Sequence, residues 1–374
     1  MLIFKRSIEP KIKELLFKGK AILIFGPRQA GKTTLAKKLI KEYGSEGEYF
    51  NCESVEVRKN FILGDSSFIK KMIGNKKVVV FDEAQTIQNI GAILKLFVDT
   101  YPKIQIIATG SSSFDLANKI NEPLTGRSFE FTLYPLSLSE INKSIKCTES
   151  DILELMRTGS YPNIVAESSK LLKESILKNI TTNYLYKDIY IYESIRNPQI
   201  FEDIIKMLAM QIGQLVSVNE ISKSVGVSRD TVDKYIRLLE QAYIIKKVRC
   251  FSRNDRNELK KSFKVYFLDL GIRNVIVDNL DNPKTRDDKG ALLENFFFLE
   301  KLKEYSLDTF PSKIFFWRTN QKLEIDFIFT KGQNIEAVEC KWSNKEVSFT
   351  KFKIIYPNAK TGILTLKDLI SQDY

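Results

Sequence analysis

The stretch KAILIFGPRQAGKTTLAKKLIKEY, residues 20–43, decides the fold of the N-terminal part of the chain. Its opening run, Ala21 to Phe25, is apolar without alternation, as in a strand covered on both faces. The run enters GPRQAGKT and then a helical segment that stops near Gly44. A strand, then G-x-x-x-x-G-K-T, then a helix is the context in which a glycine-rich loop holds phosphate. Gly26 and Gly31 let backbone N–H groups converge on phosphate oxygens, and the helix N-terminus adds its dipole. The expected nucleotide contacts are Gly26, Pro27, Arg28, Gln29, Ala30, Gly31, Lys32, Thr33 and Thr34. Lys32 would reach the β- and γ-phosphates, and Thr33 would ligate Mg²⁺. A glycine turn with a coincidental Lys-Thr is the plainer alternative.

Working outward, KKVVVFDEAQ (76–85) supplies a second apolar strand ending in Asp82 and Glu83. Asp82 would hold Mg²⁺ through water, and Glu83 would polarise the attacking water. A third strand, Ile104 to Ala108, ends in TGSSS, so Thr109 or Ser111 stands where a polar side chain senses the γ-phosphate. These residues resemble the AAA-type branch of P-loop ATPases. The resemblance places a further strand between the phosphate-loop strand and the Asp-Glu strand, here Glu48 to Cys52. Ser128 to Leu133 reads as a fifth strand, and Arg127 precedes it. The resemblance implies a finger at Arg127 that reaches a neighbour's nucleotide in a homo-oligomer. A local salt bridge is the alternative use of the same guanidinium.

Composition narrows the chemistry. The 374 residues allow two to four domains, and 43% hydrophobic residues suffice for true cores. No apolar run approaches the ~18 residues of a membrane span, and the apolar part of MLIFKRSIEP is short for a secretory signal. The expectation is a cytoplasmic protein with no membrane partner. Cys52, Cys147, Cys250 and Cys340 are scattered without a CxxC, which argues for a reducing compartment and against a structural zinc site. With no histidine, every Ser-His or Cys-His scheme and every His-ligated metal is excluded. Catalysis is left to carboxylates, lysines, hydroxyls and metal.

Net charge is +12, and it is focused. Residues 243–264 hold eight Lys/Arg (246, 247, 249, 253, 256, 260, 261, 264) against Asp255 and Glu258, a net +6. The last 94 residues hold 15 basic against 14 acidic side chains. A local anion-binding surface fits this distribution better than general solubility does. Upstream, residues 150–213 read as helices, interrupted at GSYPN and at Asn197–Pro198, and fit a lid or connector bundle. Next, Val218 to Ser224, a turn at Gly226 and Ser228 to Gln241 have the lengths of a helix-turn-helix, with Ser228 as N-cap. The basic segment then ends in the strand KVYFLD, like a wing. Arg229, Lys234, Arg237, Lys246, Lys247 and Arg249 are the expected contacts to duplex DNA, mostly through phosphates. A winged helix used for packing alone is the other reading. Asp230 and Asp233 on the second helix weaken base-edge readout.

DNLDNPKTRDDKG (278–290) is a polar boundary, followed by a buried amphipathic helix, GALLENFFFLEKLKEY, that carries Glu294. An acid among Leu and Phe is costly without a partner. LEIDFIFTKGQNIEAVECKW (323–342) then reads as a hairpin turning at Gly332–Gln333, with Thr330 opposite Ile335. Counting outward, Asp326 faces Glu339 and Glu324 faces Lys341, all on one side of the sheet. Like charges directly opposed are unfavourable, and a divalent metal between them would relieve the conflict. Helix Glu, strand Asp and Glu-x-Lys resemble the restriction-endonuclease-like superfamily. That resemblance implies Asp326 and Glu339, with Glu294, as Mg²⁺ ligands, and Lys341 as the residue that positions a water. Binding without cleavage, or a purely structural charge cluster, remain open.

The whole chain resembles a prokaryotic family of AAA-type ATPases with a C-terminal restriction-endonuclease-like domain. The motifs in common are GPRQAGKT, FDEAQ, ATGSSS, LTGR, LYPLSLSE, GSYP, the helix-turn-helix and the WRTN…EIDF…ECK block. The expected class is α/β: a P-loop AAA-type ATPase core (1–145), a helical connector (146–214), a winged helix-turn-helix (215–277) and a restriction-endonuclease-like α/β domain (278–374). The expected cofactors are ATP and Mg²⁺, and the expected partner is nucleic acid. The function implied is ATP hydrolysis by a protein that engages DNA, with metal-dependent cleavage by its C-terminal domain. The alternative is a nucleotide-dependent switch or assembly protein that binds DNA or a protein without cutting.

Overall fold

The computed structural model describes residues 4–61, 70, 73–110, 124–183, 197–252, 263–343 and 346–371. Two compact units divide the chain. The first is Lys5–Leu136 with Gln241–Tyr243, and the second is Met1–Phe4, Ser137–Glu240 and Ile244–Tyr374.

The first unit is built on five parallel strands: β1 (Ala21–Phe25), β2 (Gly47–Asn51), β3 (Val78–Asp82), β4 (Gln105–Gly110) and β5 (Ser128–Thr132). Their order in the sheet is β2-β3-β4-β1-β5. The apolar runs explain the arrangement. β1, β3 and β4 are buried along their whole length, as a parallel sheet covered by helices on both faces requires. β2, GEYFN, is only partly buried and lies at an edge. The strand expected beside the phosphate-loop strand is therefore corrected. β2 precedes β3 in the chain, but β4 is what separates β1 from β3 in the sheet. An apolar cluster packs under the sheet, with Phe81 stacked on Phe50 and meeting Phe61 and Phe97 edge-on.

The second unit opens with helices, including Glu149–Thr158, Lys170–Thr181 and Pro198–Met210. Residues 184–196, part of the expected connector, lie outside the described residues. Helix Val218–Val225 ends on Gly226 in the left-handed conformation (φ +69°), and helix Arg229–Gln241 follows. Ser228 Oγ accepts the Thr231 N–H, the cap expected there. Antiparallel β6 (Ile245–Arg249) and β7 (Phe263–Phe267) form a two-stranded ribbon.

Helix Lys289–Tyr305 is pinned to β7 by buried Asn295. Its Oδ1 accepts the Phe267 N–H at 2.8 Å, and its Nδ2 donates to the Phe267 carbonyl at 2.8 Å. The last sheet holds β8 (Lys313–Arg318), β9 (Glu324–Lys331), β10 (Asn334–Cys340) and β11 (Lys360–Leu364), in the order β11-β10-β9-β8. The hairpin register is the expected one, with Thr330 opposite Ile335 and Phe327 opposite Val338. The expected Glu324–Lys341 pairing does not form. Glu324 pairs with Arg318 of β8, and the Lys341 N–H turns to the Leu364 carbonyl beyond the end of β10.

Candidate functional site

The phosphate loop is held open from behind. Gly26 has φ +143°, and a Cβ there would stand 2.2 Å from the Leu133 carbonyl oxygen, so glycine is needed to let the loop leave β1 against β5's exit. Gln29 (φ +59°) and Gly31 (φ +100°) complete the turn into helix Lys32–Lys41. Ala30 is buried and Thr34 exposed, with Pro27 buried and Arg28 half-buried between the glycines. Arg6 braces the loop: Nη1 donates to the Ala30 carbonyl at 2.6 Å and Nη2 to the Tyr134 carbonyl at 2.5 Å.

Lys32 is 3% exposed, and its Nζ donates to the Gly26 and Pro27 carbonyls at 3.0 and 2.9 Å. Burial pulls its pKa down to about 8 against the opposing pull of Glu83 and Asp82. The ammonium is thus stored on loop carbonyls that a phosphate oxygen would replace. Asp82, at the end of β3, gathers three hydroxyls. Thr33 Oγ1 donates to its Oδ2 at 2.7 Å, Tyr49 Oη to the same oxygen at 2.6 Å, and Thr109 Oγ1 to Oδ1 at 2.5 Å. Thr109 Oγ1 also accepts the Glu83 N–H at 3.1 Å. Glu83 is left-handed (φ +52°), and its carboxylate accepts from Gln85 Nε2 at 2.6 Å. Hydrogen bonds thus join Thr33, Asp82, Thr109 and Glu83, and Thr33 with Asp82 is an all-oxygen pair suited to Mg²⁺. Tyr49 and Arg6 join the site without a sequence motif to announce them, and Gln85, the last residue of FDEAQ, joins it in a role not expected from the sequence. The alternative position Ser111 lies outside the described residues.

Arg127 makes a local ion pair, its Nε 2.6 Å from Asp99 Oδ1, with both side chains partly exposed. On the second unit, Arg229, Lys234 and Arg237 are exposed along one helix, and Lys246 and Arg249 are exposed on β6. Lys247 is less accessible, 3.4 Å from Glu240 and over the Phe263 ring. Arg253, Arg256, Lys260 and Lys261 lie outside the described residues.

Lys264, counted with the basic surface in the sequence, is 1% exposed and belongs elsewhere. Its Nζ stands 3.2 Å from Glu294 Oε1 and 2.7 Å from Glu324 Oε1. Burial alone would depress its pKa, but Glu294, Glu324 and Asp326 hold it well above the ordinary lysine value. Tyr266, two residues on and on the same face of β7, donates to Glu294 Oε1 at 2.5 Å. This supplies the partner that an acid among Leu and Phe needs. Burial still pushes Glu294 up to about 7.

Across the sheet, Asp326 Oδ2 accepts the Cys340 N–H at 2.9 Å. Lys341 Nζ bonds Glu339 Oε2 at 2.6 Å and lies 3.8 Å from Asp326 Oδ2. Burial and then Asp326 raise the Glu339 pKa. The expected divalent site at Glu294, Asp326 and Glu339 is accordingly revised. Each carboxylate is turned to an ammonium, a hydroxyl or a backbone N–H, and among the described residues no three acidic or thiol groups converge as metal ligands. As arranged, these residues do not fit a divalent ion.

Residues 18–142 match the family model described as an AAA domain. The parallel sheet and glycine-rich loop of the first unit fit a P-loop ATPase core. Beyond the AAA domain, residues 149–284 and 289–371 match two models described only as domains of unknown function, DUF8612 and DUF4143. An uncharacterized protein of Haemophilus influenzae is 27% identical over 87% of this chain and 83% of its own. Another, from Methanocaldococcus jannaschii, is 26% identical over 99% of this chain and 86% of its own. Among solved structures, a STAND (signal transduction ATPase with numerous domains) protein with a tetratricopeptide repeat sensor, from Pyrococcus horikoshii, is similar at 11% identity and TM-score 0.31. The match covers 82% of this chain and 47% of that one. No helix among the described residues is long and apolar enough to cross a membrane.

Proposed function

We propose that the protein is a nucleotide-driven switch: ATP is hydrolysed at the phosphate loop, and its binding and turnover control engagement of duplex DNA. The AAA match supports nucleotide-dependent ATPase activity. The observation that carries the catalytic part is Asp82, whose two oxygens are fixed by Thr33, Tyr49 and Thr109, with Glu83 one residue on. In this reading Lys32 leaves the Gly26 and Pro27 carbonyls for the β- and γ-phosphates. Thr33 and Asp82 hold Mg²⁺, which neutralises phosphate charge. Glu83 orients the attacking water once Gln85 releases its carboxylate. Arg127 serves a neighbouring subunit only by giving up Asp99.

DNA engagement is assigned to a winged helix, with Arg229, Lys234 and Arg237 on its second helix and Lys246 and Arg249 on its ribbon. Their exposure supports phosphate contact, which is salt-dependent and indifferent to sequence. The C-terminal domain is read as a module that binds DNA or a protein partner without cutting. The pairing of its carboxylates with Lys264 and Lys341 favours that over cleavage.

The test is ATP turnover by wild type and Lys32→Ala, with and without duplex DNA, across salt. The expected result is turnover that Lys32→Ala abolishes, with DNA stimulation fading steeply as salt rises. Purified protein that binds no nucleotide would sink the reading. Turnover indifferent to DNA would transfer the switch to a protein partner. Plasmid nicking in Mg²⁺ or Mn²⁺ that disappears in Asp326→Ala would restore the nuclease reading.

A further inference from the structure

Two carboxylates of the C-terminal domain, Glu294 and Glu324, meet an ammonium from outside that domain. Lys264 enters from β7, on the ribbon, and is 1% exposed. A buried ammonium is tolerated only when paired and hydrogen-bonded. Here it lies between Glu294 on helix Lys289–Tyr305 and Glu324 on β9, 3.2 and 2.7 Å away, with the Phe316 ring beneath it. Further donors reach the carboxylates of this domain, with Tyr266 sharing Glu294 Oε1 with Lys264. Tyr266 Oη takes Glu294, Arg318 Nη1 takes Glu324 Oε2 at 2.7 Å, the Cys340 N–H takes Asp326, and Lys341 takes Glu339. The Glu294 carboxylate also lies beside Gly213, where a Cβ would stand 3.1 Å from its Oε2.

A divalent ion demands oxygens at roughly 2.0–2.6 Å and a place for its waters. Entry here would require expelling Lys264 and breaking its two ion pairs.

We propose that Lys264 is the resident cation of this cluster, occupying the place a divalent metal would take, so that the C-terminal domain is assembled and works metal-free. The same contact keys the ribbon to the C-terminal sheet, because one ammonium joins β7, the helix and β9. The inference is independent of nucleotide chemistry and rests only on the geometry of these side chains.

The experiment is a Mn²⁺ titration of nucleotide-free, full-length protein, with free Mn²⁺ followed by electron paramagnetic resonance. Wild type is compared with Asp326→Asn, so that any ion held by Thr33 and Asp82 cancels. The two are expected to bind Mn²⁺ equally. Wild type taking up one ion more than Asp326→Asn would overturn the proposal. Lys264→Met removes the charge and keeps the bulk. Folded, it is expected to gain one Mn²⁺ that the Lys264→Met, Asp326→Asn double variant loses, and a folded Lys264→Met that gains none also overturns the proposal. If Lys264→Met does not fold, the comparison of wild type with Asp326→Asn decides.

Discussion

Asp82 and Asp269 show how one side chain type is put to opposite uses. Asp82 is surrounded by hydroxyls from Thr33, Tyr49 and Thr109. Removing one of them in Tyr49→Phe is expected to leave nucleotide affinity within about two-fold and to lower kcat by roughly ten-fold. That is the worth of a hydrogen bond to a charged group at about 1.5 kcal/mol. Steady-state turnover beside nucleotide titration checks it, and an unchanged kcat would remove Tyr49 from the site.

Asp269 instead accepts the N–H groups of Ser160 and Ile272 in a fully buried position. Burial raises its pKa from 3.8 to about 6, while those N–H groups hold it back. Between these values the unfolded chain has lost the proton and the folded chain retains it. Stability from this group is thus fully present below pH 3.8 and is lost as pH rises through about 6. The loss is at most about 3 kcal/mol. Asp269→Asn should flatten that slope in urea midpoints measured at pH 4 and pH 7.

The phosphate loop is legible because its residues lie within one turn of chain. Tyr49, Arg6 and Lys264 are not, because what fixes them is remote: Arg6 reaches Tyr134 across 128 positions, and Lys264 reaches Glu294 across 30.

At the scale of elements, unbroken apolar runs identify β1, β3 and β4 as interior strands, but periodicity carries no information about which interior strand lies beside which. The position of β4 between β1 and β3 escapes the sequence for that reason. The hairpin register near its turn is readable because the Gly332–Gln333 turn sets Thr330 opposite Ile335 and so Phe327 opposite Val338. What alternation does not reveal is the third element. β7 delivers Lys264 to Glu294 and Glu324, while the opposed acids Asp326 and Glu339 meet the Lys341 ammonium. A lysine flanked by Phe263 and Val265, with a tyrosine two residues on, is the available signal that FKVYF faces a buried polar partner.

The ribbon's first strand gives a separate expectation. Charge reversal at Lys246 and Arg249 should weaken binding to duplex DNA of any sequence by at least ten-fold. It should also reduce the salt slope by about two, one for each phosphate no longer neutralised. Fluorescence anisotropy at several salt concentrations measures both, and an unchanged slope would take β6 out of the interface.

For the molecule as a whole, the charge of +12 gives an attraction to polyanions that no single residue controls. Association with DNA should therefore slow markedly between low and physiological salt even in variants that retain ATP turnover, which stopped-flow mixing reads directly. The first unit also does not end where its sheet ends. Gln241–Tyr243 belong to it, and the Tyr243 ring meets Tyr134 edge-on at 6.5 Å. A fragment stopping at residue 142 should melt below the same unit in the full chain, as calorimetry would detect.

This discontinuity imposes an order on biosynthesis. β1 finds its neighbour β4 only when a strand 85 positions later has emerged, since Ile22 pairs with Ile107. Tyr134 then waits until residue 243 leaves the ribosome. By that time helices Glu149–Thr158 through Arg229–Gln241 have been made, so the nucleotide-binding half reaches its finished state only after a large part of the other half exists.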